Sequence, residues 1–379
     1  CIRDSSYIAA TIVAIVVLLV AWQLLPRLTE PDSPAVPPVP ADLGKSIAVL
    51  PFENISGRDE DSQFVDGVHA DMVNRLARIN GIAPISRASV LSYREEPRSP
   101  VEVAEELGAE MVLEGSIQRI GNRIRVNVQL TDGSGTVVWA PDPYDRELTA
   151  ENLFDIQSEI AQEVTRSLGA ELSPEELRRV DARPTDNLEA YQYWQRAYYH
   201  INEGSDEEEA IRLLDRAIEI DPSFAAAYSL KAMALTSLFW VTGRSDTDLC
   251  DAAAESLESA RSLDPDLFEL RVDTGVYHYR CHYDYEAAIA SIDTALQISP
   301  NSVEALEFYG VVLRRAGRLP ESVDAHLRAV ELSPRYADLH WHLESSYALL
   351  RNPTAARRHA ERAISLAPSE EAMYTNAAW

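Results

Sequence analysis

The chain lacks most of the features that announce an enzyme. Three cysteines stand among its 379 residues, Cys1, Cys250 and Cys281. They are too few and too scattered for a disulfide framework or a CxxC metal site. The spacing of Cys250 and Cys281 gives no reason to pair them, and buried free thiols are the expectation. Positive charge is scarce too. Lys and Arg number 34 against 61 Asp and Glu, a formal net charge of -27. Such a chain repels phosphate backbones and carries no local basic patch, so nucleic acid is not an expected partner of this segment.

Phosphate-cradling loops are missing as well. Gly44-Lys45-Ser46 resembles the end of a P-loop, but Val39 stands where the first glycine belongs, and the tripeptide precedes a strand instead of following one. Gly133-Ser134-Gly135 lacks the third glycine of a dinucleotide loop and falls in a hairpin. Asp66, Asp71 and Glu114 read as solvated or structural acids, and His69 has no evident partner. No Ser/His/Asp order and no metal-ligand spacing stand out. The expectation is a non-enzyme with no catalytic, cofactor-binding or metal-binding residues. Any catalytic domain would lie upstream of Cys1.

What is present is an ordinary globular balance, 46% hydrophobic and 25% charged, which excludes a disordered chain. The length suits two or three folding units. The chain opens on Cys1, which reads as a truncation of something longer. Residues 7–25, YIAATIVAIVVLLVAWQLL, contain no charge. At 1.5 Å per residue they reach roughly 28 Å, enough for one transmembrane helix. Trp22 sits near one end, as interfacial aromatics do. Arg3 before the span and Arg27 after it tie the positive-inside count. Residues 26–45 form a Pro-rich linker, with EPDSPAVPPVP favouring an extended, semi-rigid spacer.

From Lys45 the texture becomes α/β. Ile47-Ala48-Val49-Leu50-Pro51-Phe52 reads as a buried strand, and residues 64–79 carry apolar side chains at helical spacing. Residues 81–85 read as a second strand. Residues 101–107 read as a short helix stopped by Gly108. A strand series then starts at Met111. Ile124, Val126, Val128 and Leu130 alternate with polar residues, and turns fall at Gly121-Asn122 and Asp132-Gly133. Residues 153–168 are a closing helix.

This stretch resembles the TolB amino-terminal domain in the version common in bacterial signalling proteins. The matching pieces are IAVLPFENISG (47–57), FVDGVHADMVNRLARI (64–79), ELGAEMVLEGSIQRIGNRIRVNVQLTDGSG (106–135) and YDREL (144–148). WAPDPYDREL is one residue longer than the usual approach to the YDR motif. Its two prolines imply a bulge or an edge-strand interruption. The resemblance implies a TolB-like α/β domain over 46–172, and a polar connector follows over 173–187.

The remainder is repetitive. Pro222, Pro265, Pro300, Pro334 and Pro368 close helical runs at intervals of 43, 35, 34 and 34 residues. A 34-residue period is the signature of tetratricopeptide (TPR) repeats. Small residues recur before each proline: Ala210 and Ala217, Ala253 and Ala260, Ala288 and Ala295, Ala329, Ala356 and Ala363. Trp194 and Tyr228 take the aromatic position early in helix A, and Gly310 a small position between helices. The long first interval implies an insertion around residues 241–249. Five repeats over 188–368 result, with 369–379 a partial repeat or cap. The expected fold class is α/β plus all-α: one transmembrane helix, a TolB-like domain and a TPR solenoid.

Such a solenoid presents a concave groove lined by its A helices. Groove positions in this register are Tyr199, Tyr277, Arg280, Glu307, Arg314 and Trp341, residue types that anchor protein partners. The basic carboxylate clamp of chaperone-binding TPRs is absent. His278 and His282, and His340, His342 and Glu344, fall within A helices and read as structural, not metal-binding. The resulting expectation is a membrane-anchored interaction scaffold or sensory module of the bacterial inner membrane. Its soluble domains would be periplasmic and would bind proteins or peptides. The resemblance implies that an upstream effector, a class III adenylate/guanylate cyclase or a winged-helix regulator, could complete it.

Overall fold

The structure, a computed structural model, describes residues 45–58, 61–202, 206–244 and 246–368. Three short strands and a helix open the described chain: β1 (Lys45–Val49), β2 (Glu53–Asn54), α1 (Ser62–Ala77) and β3 (Ile82–Pro84). There follow α2 (Arg87–Val90), α3 (Pro100–Leu107), β4 (Met111–Ile120), β5 (Arg123–Asp132), β6 (Val137–Trp139) and β7 (Tyr144–Glu147). The helices α4 (Ala150–Ser167) and α5 (Pro174–Val180) complete the α/β part.

The sheet runs in the order β3-β1-β4-β5-β6, with β2 also on β4 and β7 also on β5. β1 pairs in parallel with β3 and β4, whereas β5 is antiparallel to β4, β6 and β7. Strands covered on both faces lose polar alternation, and β1 shows this directly. Ile47 and Val49 enter one core with α1 and α4, while Ala48 and Leu50 enter a second with α2 and α3. Capping fixes where the helices start. The Ser99 and Ser173 hydroxyls each accept from the backbone three residues on, with Glu102 and Glu176 answering in capping boxes. Beyond the 132–136 turn the partner of β5 is interrupted. A register shift lies at Leu130/Thr131, and Ala140–Pro143 separates β6 from β7.

Five helix pairs follow: α6 (Leu188–Asn202) with α7 (Glu207–Ile220), α8 (Ala225–Val241) with α9 (Asp248–Leu263), and α10 (Phe268–Tyr277) with α11 (Tyr285–Ile298). The last two are α12 (Val303–Arg315) with α13 (Leu319–Leu332) and α14 (Ala337–Leu349) with α15 (Pro353–Leu366). The repeated alanines are where helices touch. Ala210, Ala217, Ala253, Ala260, Ala288, Ala295, Ala329 and Ala363 are all fully buried. Gly310 makes the same point more sharply, since a Cβ there would lie 2.5 Å from Nε2 of His326.

The cysteines correct the sequence reading. Cys250 on α9 and Cys281 in the π-helical turn His278–His282 form a disulfide, with Cα atoms 5.8 Å apart. Thirty-one positions separate them in the chain. The turn after α10 brings them together, which no spacing rule discloses.

The expectation of a single-pass inner-membrane protein is also corrected. Among the described residues no helix is long and apolar enough to cross a membrane. The span expected over 7–25 and the linker over 26–45, apart from Lys45, lie outside the described residues, as does the segment 369–379.

Candidate functional site

The concave face of the repeats is not an open trough. Helix α1 lies against it, and the core of the α/β domain runs without a break into the first two repeats through Tyr191, Ala197, Leu214, Phe224 and Met233. Gly67 permits the approach. A Cβ at Gly67 would fall 2.3 Å from Nε2 of Gln195 on α6. That Nε2 donates to Asp71 on α1 at 3.4 Å.

Further along, the turns between repeats grip the same domain. The Ser299 hydroxyl donates to the Ala77 carbonyl at 2.7 Å, and Asn301 Nδ2 to the Ile82 carbonyl at 2.8 Å. The Ser86 amide donates to the Leu332 carbonyl at 2.8 Å. Arg335 reaches Glu106 at 3.0 Å and lies over the Tyr93 ring. Arg78, at the end of α1, pairs with Glu269 at the start of α10 and stacks over Phe268. Every one of these turns falls where a proline closes a B helix, so the repeat period itself spaces the grips.

Between α1, the α2 turn and the A helices of repeats 1 to 4 a cavity of about 470 Å³ remains. That volume lies within the range of small-molecule sites, which favour domain interfaces. Trp194 and Tyr198 of α6 stack at 5.5 Å and line one part. Four carboxylates line it as well, Glu269, Asp273, Glu304 and Glu307, with three guanidinium groups, Arg78, Arg87 and Arg280.

Burial dominates the electrostatics. It pushes the Glu304 carboxyl up to about 7, with Glu269 and Glu307 adding to the effect and Arg78 opposing it. Asp273 is 5% exposed, and its acid is raised well above the usual carboxylate range. Burial is the main cause and Glu304 and Glu269 contribute, against a hydrogen bond from Ser229 and the charge of Arg280. Burial lowers Arg280 to about 10.

Of the six expected groove residues, the structure brings two into this cavity. Arg280 donates to the Ser237 hydroxyl at 2.6 Å and sits over the Phe308 ring at 5.5 Å. Glu307 faces His342, with Oε1 at 3.4 Å from Nε2. Arg314 stands one link away and donates to the His342 carbonyl at 3.1 Å. Tyr199 is 36% exposed and packs edge-on to His200, outside the cavity. Tyr277 packs beside Leu235 and Leu257, its hydroxyl 2.7 Å from His282 Nε2. Trp341 packs against Ala337 and Ala363.

The residues that sequence reasoning missed are Asn74, Arg78, Tyr198, Asp273 and Glu304. On α1 the available signal was the burial-like alanines Ala70 and Ala77 on a face that also carries Asn74. Ala70 and Ala77 are indeed buried.

The histidines are engaged in packing. His326 stacks on His342 at 5.1 Å, and His340 on His359 at 5.3 Å with Nδ1 atoms 3.1 Å apart. Among the described residues no group of three or more His, Cys, Asp or Glu is placed to hold a metal.

A family model described as "HilA/YgeH-like transcriptional regulator, second domain" matches residues 43–163, and a tetratricopeptide repeat model matches residues 282–337. The model that matches the α/β segment is that regulator's second domain and not a TolB domain. A curated relative named "Putative adenylate cyclase 3", from Rhizobium meliloti (strain 1021), is 39% identical over 220 residues. The match takes in 57% of this chain and 37% of that protein. A TPR repeat-containing thioredoxin of Arabidopsis thaliana is 37% identical over 76 residues, 20% of this chain and 11% of the thioredoxin. The chain therefore spans well under half the length of either relative. Among solved structures, a thermophilic TPR protein of Thermus thermophilus is 15% identical, covering 50% of this chain and 98% of that one at a TM-score of 0.43. The C-terminal half is a stack of helix pairs, and a tetratricopeptide repeat model matches part of it.

Proposed function

We propose that this chain is the noncatalytic, regulatory part of a longer signalling protein. In it, the α/β domain and the TPR array act as one docking body for protein or peptide partners. The observation that carries this reading is the seating of α1 and the β3–α2 turn in the concave face, gripped at successive repeat turns. A scaffold whose groove already holds a domain of its own chain can report the state of that groove. Support also comes from the stretch it shares at 39% identity with 37% of the adenylate cyclase relative, and from the match of its first domain to part of a transcriptional regulator. An effector of cyclase or DNA-binding type would then be the output. The TolB-like resemblance fits the same role, with the α/β domain as a second docking surface.

Sequencing the gene upstream of the Cys1 codon tests this. A cyclase or winged-helix domain running in frame into Cys1 is the expected result. A start codon immediately upstream would overturn it in favour of a stand-alone scaffold.

A further inference from the structure

Arg280 is a guanidinium without a counter-ion. It lines the cavity between α1 and the repeats, and no carboxylate among the described residues forms an ion pair with it. Only one of its nitrogens is engaged. Nη1 donates to the Ser237 hydroxyl at 2.6 Å and touches the Met233 sulfur at 3.9 Å. The Phe308 ring takes one face of the group at 5.5 Å. Nε and Nη2, which form the side-on fork of a guanidinium, have no hydrogen-bonding partner among the described residues.

The acids around the cavity do not answer this charge. Asp273 stands seven positions before Arg280, but burial raises its acid well above the usual carboxylate range, and the Ser229 hydroxyl donates to it. Glu269 is matched by Arg78, and Glu307 faces His342. Glu304 opens onto the cavity and is pushed up to about 7, by burial first and then by Glu269 and Glu307, against Arg78. With Asp273 and Glu304 uncharged, the lining holds three guanidinium groups against two carboxylates. Enclosed charges are ordinarily paired, so a guanidinium with free donors at the wall of a void marks the seat of an anion. Ile201, Leu230, Met233 and Val272 line the same void and offer apolar surface.

We propose that this cavity binds a small monocarboxylate on an apolar or aromatic body, with the carboxylate accepting from Nε and Nη2 of Arg280 and the body lying against Ile201, Leu230, Met233 and Val272. One negative charge closes the balance of the lining. Because the walls come from both the α/β domain and four A helices, such a ligand bridges the two parts. Binding needs only their closed arrangement, so it stands or falls separately from the docking of partners.

The test is a calorimetric titration of the full chain with 3-phenylpropionate at pH 6, with 3-phenylpropanol as the uncharged control. Saturable binding of the acid and none of the alcohol is the expected result. In Arg280→Gln the affinity falls about tenfold or more, the loss of a charge-assisted fork. Between pH 6 and pH 8 the acid itself stays ionised, whereas Glu304 gains its charge, so wild-type binding weakens as the pH rises. In Glu304→Gln that weakening shrinks, while binding at pH 6 is kept, an outcome that damage to the fold would not produce. A peptide ending in phenylalanine presents the same carboxylate on a long chain and is expected not to displace the acid. Equal binding of acid and alcohol, an Arg280→Gln titration that overlays the wild type, wild-type affinity that is flat with pH, or displacement by the peptide at equal concentration would each overturn the proposal.

Discussion

Asn301 donates through Nδ2 to the Ile82 carbonyl at 2.8 Å, tying the turn before α12 to the edge strand β3 across 219 positions of sequence. Both residues are buried, and Arg328 in turn donates to Asn301 Oδ1 at 3.3 Å. Asn301→Ala leaves the buried Ile82 carbonyl without this donor. The expected loss is about 1–3 kcal/mol. It is read from the urea midpoint at constant slope, and an unchanged midpoint would show that the seam contributes nothing.

Gly310 and His326 give a steric counterpart. A methyl group at Gly310 would meet the His326 ring at 2.5 Å, and that ring is held by stacking on His342. Gly310→Ala is expected to cost about 1–3 kcal/mol, as overpacked cores do. Combining it with His326→Ala should return part of that loss, because the two changes share one space. A double mutant whose destabilisation is the plain sum of the singles would mean that the ring is not the obstacle.

Acidity should act with a defined sign. The Glu304 carboxyl, pushed up to about 7 from 4.5 by burial and its acidic neighbours, holds its proton more tightly folded than unfolded. Its contribution is fully present below about pH 4.5 and is lost as the pH rises through about 7. Asp71, pushed up to about 7 by burial against the pull of Arg75, acts in the same direction. His69 and His359, lowered by burial from 6.5 to about 4, act oppositely, and their contribution is lost as the pH falls from 6.5 through 4. The difference between Glu304→Gln and wild type isolates the one group. The variant should match wild type near pH 5 and melt higher near pH 8. A Tm difference flat with pH would contradict this.

The disulfide between Cys250 and Cys281 closes a loop of 31 positions. In the chain-entropy account a loop of that length stabilises by about 3 to 4 kcal/mol. A double Cys250→Ala, Cys281→Ala variant should therefore lower Tm. Dithiothreitol should lower the wild-type Tm and leave the variant's alone. Three free thiols titrating in unreduced, denatured protein, where Cys1 alone is expected, would show that the bond does not form.

Local order was legible wherever it repeats or alternates. The proline-and-alanine period of the repeats comes from helices that touch at small residues two turns apart, so Ala217, Ala260 and Ala295 could be read one by one. The β5 alternation of Ile124, Val126 and Val128 was legible for the same reason, since each faces a core fixed by neighbouring strands. The site was legible in part. Arg280 and Glu307 were chosen from the repeat register and do line the cavity, whereas Tyr199 stands one residue from Tyr198, which does. One residue on a helix is a rotation of about 100°, and nothing in a single repeat sets that angle against a domain far back in the chain. The sequence names no partner for Asp71 or Arg78, because both partners lie far along the chain. Asp71 accepts from Gln195 of the first repeat, and Arg78 turns toward Glu269 of the third. Cys250 and Cys281 meet only because an irregular turn follows α10.

A TPR array is ordinarily a spring. Each repeat touches only its neighbours, so the coil stretches and bends turn by turn and melts from its ends. Here Ser299, Asn301, Leu332 and Arg335 stitch successive coils to a β-sheet fold that does not stretch. That stitching makes the spring a braced arch. Its curvature is set by the sheet domain inside it, and pulling on one end loads the whole span at once. Unfolding should then proceed as a single cooperative event over both parts, where a bare solenoid would fray.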